Sequence, residues 1–163
     1  MNKKIKNAII SVSDKSELNS IVRFLKKYRV NIISSGGTFK SIRKQGFDCK
    51  EVSDFTNFNE MLDGRVKTLH PKIHSGILFS RSNKKHITEM KNNNFEPIDL
   101  VIVNFYPFKE ILNKTKIFEK IIENIDIGGP TMVRAAAKNF KNVTIITDKS
   151  DYIDLIKELK KNK

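Results

Sequence analysis

Cysteine, acidic side chains and long apolar runs are what this chain has least of. Cys49 stands alone, so no internal disulfide can form, and the reading is a protein of a reducing, cytoplasmic compartment. No apolar run approaches the roughly 20 residues of a membrane helix, and the basic Met1–Asn7 segment precedes no signal-like stretch. No membrane partner is expected. Acidic residues number 18 against 31 Lys and Arg, a net charge of +13. Such an excess points towards anions. It is spread over short Lys runs beside Asn (Lys84-Lys85, Lys91–Asn94, Lys160–Lys163), with no basic stripe interleaved with aromatics, so no nucleic-acid partner is expected. Linkers and internal repeats are missing too, and 163 residues suit a single domain over positions 1–163.

What is present is an alternation of strands and helices. Asn7–Ser13 reads as a buried strand. The helix after it runs to about Tyr28, with an apolar stripe of Leu18, Ile21, Val22 and Leu25 and a capping box from Asp14 and Glu17. Val30–Ser34 is a second strand, and Ser35-Gly36-Gly37-Thr38 turns into a helix stopping near Gly46. Asp48–Val52 is a third strand. Phe58–Leu62 makes a helical turn, and residues 83–94 form an exposed helix. Leu100–Asn104 is an apolar strand, Ile117–Ile122 a helix, and Pro130–Asn139 a helix with Pro130 as its first residue. Val143–Thr147 and a helix to about Leu159 close the domain, leaving Lys160–Lys163 as a tail. This order implies an α/β fold with a mainly parallel sheet covered on both faces.

Ligands of such sheets bind beyond the carboxyl ends of the strands, where the distinctive polar residues fall. Ser13, Asp14 and Lys15 follow the first strand. Ser35, Gly36, Gly37 and Thr38 follow the second, with hydroxyls and unpaired helix-start N–H groups suited to phosphate; a plain Gly turn with a Thr cap has the same sequence. Gly64–Pro71 carries Arg65, Val66, Lys67, Thr68 and His70, a density of donors that favours an anion or carbonyl site over a solvated basic loop. Backbone N–H groups around Ile127, Gly128 and Gly129 could hold an oxyanion. Arg134 and Lys138 share a helix face, which an ordinary solvated basic edge would also give. His70 and His74 are four apart, but Pro71 between them argues against a shared helical face, so no metal is expected. Cys49 reads as strand packing.

Six segments in order, Ser11–Lys15, Ser35–Thr38, Gly64–Pro71, Asn104–Phe108, Ile125–Thr131 and Arg134–Asn139, resemble the inosine monophosphate (IMP) cyclohydrolase domain. In relatives this is the N-terminal part of a bifunctional purine-synthesis protein that also carries AICAR transformylase. The resemblance implies a methylglyoxal-synthase-like fold, three layers α/β/α around a five-stranded mainly parallel sheet. It implies closure of the purine ring of 5-formamidoimidazole-4-carboxamide ribotide to give IMP and water, with no metal or organic cofactor. Residue by residue, Lys138 matches the proton-transferring Lys, Lys67 the one facing the formyl oxygen, and Tyr106 and Asp126 complete the catalytic set. Ser13 to Lys15, Ser35 to Thr38, Arg65 to Thr68, Val103 and Asn104, and Asp126 to Gly129 match nucleotide-binding segments. The transformylase domain is missing from this sequence, so no formyl transfer is expected. A homodimer and a transformylase domain or subunit outside the chain stay open. A metabolite-sensing module and methylglyoxal synthase share the implied fold and are the rival readings.

Overall fold

The computed structural model describes residues 4–161; residues 1–3 and the last two of the tail, 162 and 163, lie outside it. Five strands, β1 (Asn7–Val12), β2 (Asn31–Ser34), β3 (Lys50–Glu51), β4 (Leu100–Asn104) and β5 (Thr144–Ile146), form one sheet in the order β3-β2-β1-β4-β5. Every pairing is parallel. The expected fold class is therefore borne out, with an all-parallel sheet.

Side-chain alternation sorts the core into two layers. From β1, Ala8, Ile10 and Val12 point to one face, and Ile9 to the other. The first face is covered by α1 (Leu18–Lys27), α2 (Gly36–Lys44) and α9 (Tyr152–Lys161), through Leu18, Ile21, Val22, Leu25, Ile42, Tyr152 and Leu155. The second is covered by α3 (Val52–Thr56), α4 (Pro71–Leu78) and α8 (Gly128–Lys138), through Val52, Phe55, Ile73, Ile77, Met132, Ala135 and Ala136. Burial on both faces is why β1 and β4 read as near-continuous apolar runs. Cys49 is buried in the first layer, as packing, and burial pushes its thiol up to about 12, which makes it a poor nucleophile. No helix among the described residues is long and apolar enough to cross a membrane.

The chain enters at the centre of the sheet, builds one side (β2, β3), then returns beside β1 to build the other (β4, β5). The topological switch point thus lies between β1 and β4. That pair is fastened at both ends. At the amino ends, Asp99 accepts hydrogen bonds from the N–H of Lys6 (2.7 Å) and Asn7 (2.9 Å) and meets Arg81 at 2.6 Å. At the carboxyl ends, the Asn104 side chain accepts from the N–H of Ser13 (2.6 Å) and Asp14 (3.1 Å) and donates to the Asp14 carbonyl (3.1 Å).

Several local expectations need correction. The Asp14–Glu17 capping box does not form: Glu17 makes no side-chain cap, and Asp14 accepts instead from Ser16 N–H and from Lys149. The helical turn expected at Phe58–Leu62 lies earlier, in α3. Pro71 opens a helix rather than preventing one: it takes the first position of α4, where its missing N–H costs nothing, and His70 caps that helix by accepting from Lys72 N–H. α8 starts at Gly128, two residues before Pro130. α9 runs on through Lys160 and Lys161 rather than ending near Leu159. A helix at Phe108–Lys114, α6, is added between β4 and the expected one, α7, at Phe118–Glu123. α5 (Lys84–Asn92) sits where an exposed helix is expected.

Candidate active site

A cleft of about 570 Å³ opens beyond the carboxyl ends of β1, β2 and β4. Five stretches close around it: the β1–α1 loop, the start of α2, the segment before α4, the residues at and just past the end of β4, and the run from the end of α7 into the start of α8. Two of these contain helix amino ends, so their free N–H groups and dipoles add to the charge of Lys15, Arg65 and Lys67 in favouring an anion.

Of the residues singled out from sequence, Ser13, Lys15, Ser35, Gly36, Gly37, Thr38, Arg65, Lys67, Thr68, Asn104, Tyr106, Asp126, Ile127, Gly128 and Gly129 line this cleft. They play different parts in it. The Thr38 hydroxyl is spent on the framework: it accepts from Val12 N–H and donates to the Val12 carbonyl, both at 3.0 Å, and the residue is 4% exposed. Asn104 is likewise held by the β1–α1 loop. Thr68 is buried, with its hydroxyl against Gly128 so closely that a Cβ there would collide with it. Asp126 accepts from Gly129 N–H at 2.9 Å and so caps α8. Tyr106, 56% exposed, reaches the rim from just past β4.

The two strongest cations already have partners. Lys67 Nζ lies 2.8 Å from Glu60, and its stem passes directly over Gly64. Arg65 makes a two-pronged ion pair with Glu123 at the end of α7, exposed on both sides. The pairing raises the Arg65 pKa and lowers that of Glu123. Sequence reasoning misses Glu60 and Glu123: Glu60 is an acid in an irregular stretch whose one signal is that it flanks the basic motif, and Glu123 ends a helix 58 residues from Arg65, with no local signal of the pairing.

Four other anticipated residues are not brought to the cleft. The Asp14 carboxylate turns away to Lys149 (2.7 Å), whose hydrogen bond, with that of Ser16, pulls its pKa well below the usual range. Val66 is engaged in a backbone bridge to Met61, and the Val103 side chain is in the core. Lys138 is exposed at the last position of α8. Ten residues at a 1.5 Å rise put it about 15 Å from the end that faces the cleft, further than a Lys side chain spans. Next to it, Asn139 donates to the carbonyls of Ile77 and Phe79 and fastens the end of α4. Among the described residues no three His, Cys, Asp or Glu gather as metal ligands. Burial lowers the pKa of His70 and His74, keeping both neutral near pH 7.

Comparison with known proteins agrees with this architecture. A family model described as the MGS-like domain matches residues 17–131. The chain is 51% identical over 157 residues (96% of its length) to the bifunctional purine biosynthesis protein PurH of Clostridium acetobutylicum. It is 52% identical over 160 residues (98%) to that of Acetivibrio thermocellus. It spans about a third of these relatives, 32% and 31% of their length. The crystal structure of ForH superposes with a TM-score of 0.83 at 31% identity, over 96% of this chain and 80% of that one. The chain belongs to the MGS-like domain family.

Proposed function

We propose that this chain is an IMP cyclohydrolase, closing the six-membered ring of 5-formamidoimidazole-4-carboxamide ribotide. The observation that carries the reading is convergence. Five of the six segments that resemble this domain meet at one cleft, in a chain half identical to purine-biosynthesis proteins.

In this reaction the carboxamide nitrogen attacks the formyl carbon. The formyl oxygen takes up charge, and the tetrahedral centre then expels it as water. One proton comes from the attacking nitrogen and one from the formamido nitrogen, whose electron pair makes the new C=N bond. Both partners belong to one molecule, so holding the reactive rotamer supplies much of the acceleration. In this reading the 5′-phosphate sits on the N–H groups of Gly36 and Gly37 with Lys15, and Arg65 leaves Glu123 to help hold it. Lys67 leaves Glu60 for the formyl oxygen, where an ammonium stabilises the oxyanion. Asp126 and Tyr106 exchange the protons. A contribution from Lys138 would have to be made at a cleft other than its own chain's.

The test is to mix the purified chain with the formamido ribotide and follow IMP by absorbance. Steady IMP formation is expected. IMP binding without turnover would replace the reading with a metabolite-sensing module, and absence of both would refute it.

A further inference from the structure

Glu60 lies outside the basic loop and does not line the cleft, yet the backbone delivers it to Lys67. Met61 and Val66 form an antiparallel bridge, each donating its N–H to the other's carbonyl at 3.3 Å. Stepping one residue outward on each side places 60 opposite 67, so their side chains share a face. Of the residues that connect them, Leu62, Asp63 and Gly64 all have positive φ (54°, 54° and 89°), and Arg65 returns to right-handed backbone (φ −65°). For Leu62 and Asp63 this is an uncommon conformation that costs energy. The reward is register: a looser turn would let 60 and 67 slip apart. Gly64 then leaves the space the Lys67 stem crosses, and the ammonium reaches the cleft edge beside Gly36, 3.7 Å from where a Cβ there would sit, an ordinary contact distance.

We propose that Glu60 is a positioning residue for Lys67. It holds the ammonium at the Gly36 edge before substrate arrives, so that little reorganisation is needed when the formyl oxygen replaces the carboxylate. The inference rests on the ring-closing reading for its kinetic consequence and on the hairpin geometry for its structural one.

The experiment compares wild type, Glu60→Gln and Glu60→Asp, each checked for folding by its thermal melt. Glu60→Gln is expected to lower kcat about tenfold or more while KM and IMP affinity stay within about twofold, because Lys67 becomes misplaced rather than lost. Glu60→Asp keeps the charge and should recover part of that loss. Wild-type kcat in Glu60→Gln, or Glu60→Asp no better than Glu60→Gln, would overturn the proposal. A second measurement stands apart from turnover: the ammonium NMR signal of Lys67, assigned with Lys67→Arg. It should be slow to exchange with water in wild type and lost in Glu60→Gln. If wild type makes no IMP, the ring-closing reading falls, and this signal still decides the role of Glu60. Its persistence in Glu60→Gln would refute it.

Discussion

Replacing Gly64 by Ala should separate folding from function by a wide margin. Gly64 has φ +89°, and a Cβ built there lies 2.5 Å from Lys67 Cε and 2.8 Å from Nζ. The left-handed backbone costs Ala about 1–2 kcal/mol, part of which is offset by the smaller entropy of its unfolded chain. The collision itself costs little stability, because the obstructed atoms are the free end of a flexible side chain. A net loss of about 1 kcal/mol lowers Tm by about 2–4 °C in a domain of this size and leaves the chain folded at 25 °C. Function has no such slack. Carbon contacts begin near 3.5 Å, so the Lys67 stem must move by about 1 Å, and displacement on that scale costs about 10²-fold in rate. The assay is kcat/KM for IMP formation beside a thermal melt and an IMP titration. The reasoning is refuted if Tm falls as stated but kcat/KM stays within threefold of wild type. It is refuted equally if activity and IMP affinity fall in step, since that would mean collapse of the cleft instead of a displaced Lys67.

Other substitutions test the framework around the site. Thr38→Val keeps the shape but orphans the N–H and carbonyl of Val12; a loss of about 1–3 kcal/mol in urea unfolding is expected, and an unchanged midpoint would contradict the assignment of that hydroxyl to the framework. Asp14 has its folded-state pKa depressed by Lys149 and Ser16, so its stabilising contribution is full above its unfolded pKa of about 4 and fades as pH falls below that. Asp14→Asn should therefore flatten the acid limb of stability against pH below about 4, with IMP affinity at pH 7 unaltered; an acid limb as steep as wild type would count against it. Glu123→Gln releases Arg65 and should tighten IMP binding a few-fold at low salt, an effect that vanishes at high ionic strength; weaker binding at low salt would show that Glu123 aids the site.

The sheet was legible because both faces of its central strands are covered, which gives Asn7–Ser13 and Leu100–Asn104 near-continuous apolar stretches, Ala8–Ile10 with Val12 in the first and Leu100–Val103 in the second. α1 was legible from its stripe. α6 and α4 escape the sequence for a shared reason: Pro107 and Pro71 look like breaks in the chain, whereas Pro107 is the N-cap of α6 and Pro71 the first residue of α4. For the site, motif spacing located the loops but not the use of each side chain. Thr38, Asn104 and Asp14 carry ligand-like groups, and all three are spent on the protein itself. Nothing in a linear pattern separates a hydroxyl aimed at a ligand from one aimed at Val12. Lys138 exposes a similar gap: proximity in sequence to Gly128 became distance once the intervening residues formed a helix.

The fastening of β1 to β4 at both ends has a consequence for how the molecule comes into being. Asn7 and Asp99 are 92 residues apart, Ser13 and Asn104 91. β1, β2 and β3 pair across crossovers that each hold one helix, α1 and α2, but the β1–β4 seam needs a far longer closure whose entropy is met before its contacts form. The cleft straddles that seam, so a chain released before Leu100 has half a sheet and no cleft. During synthesis the ability to hold a nucleotide would arise late and abruptly, and nucleotide binding would read out completed folding rather than partial order.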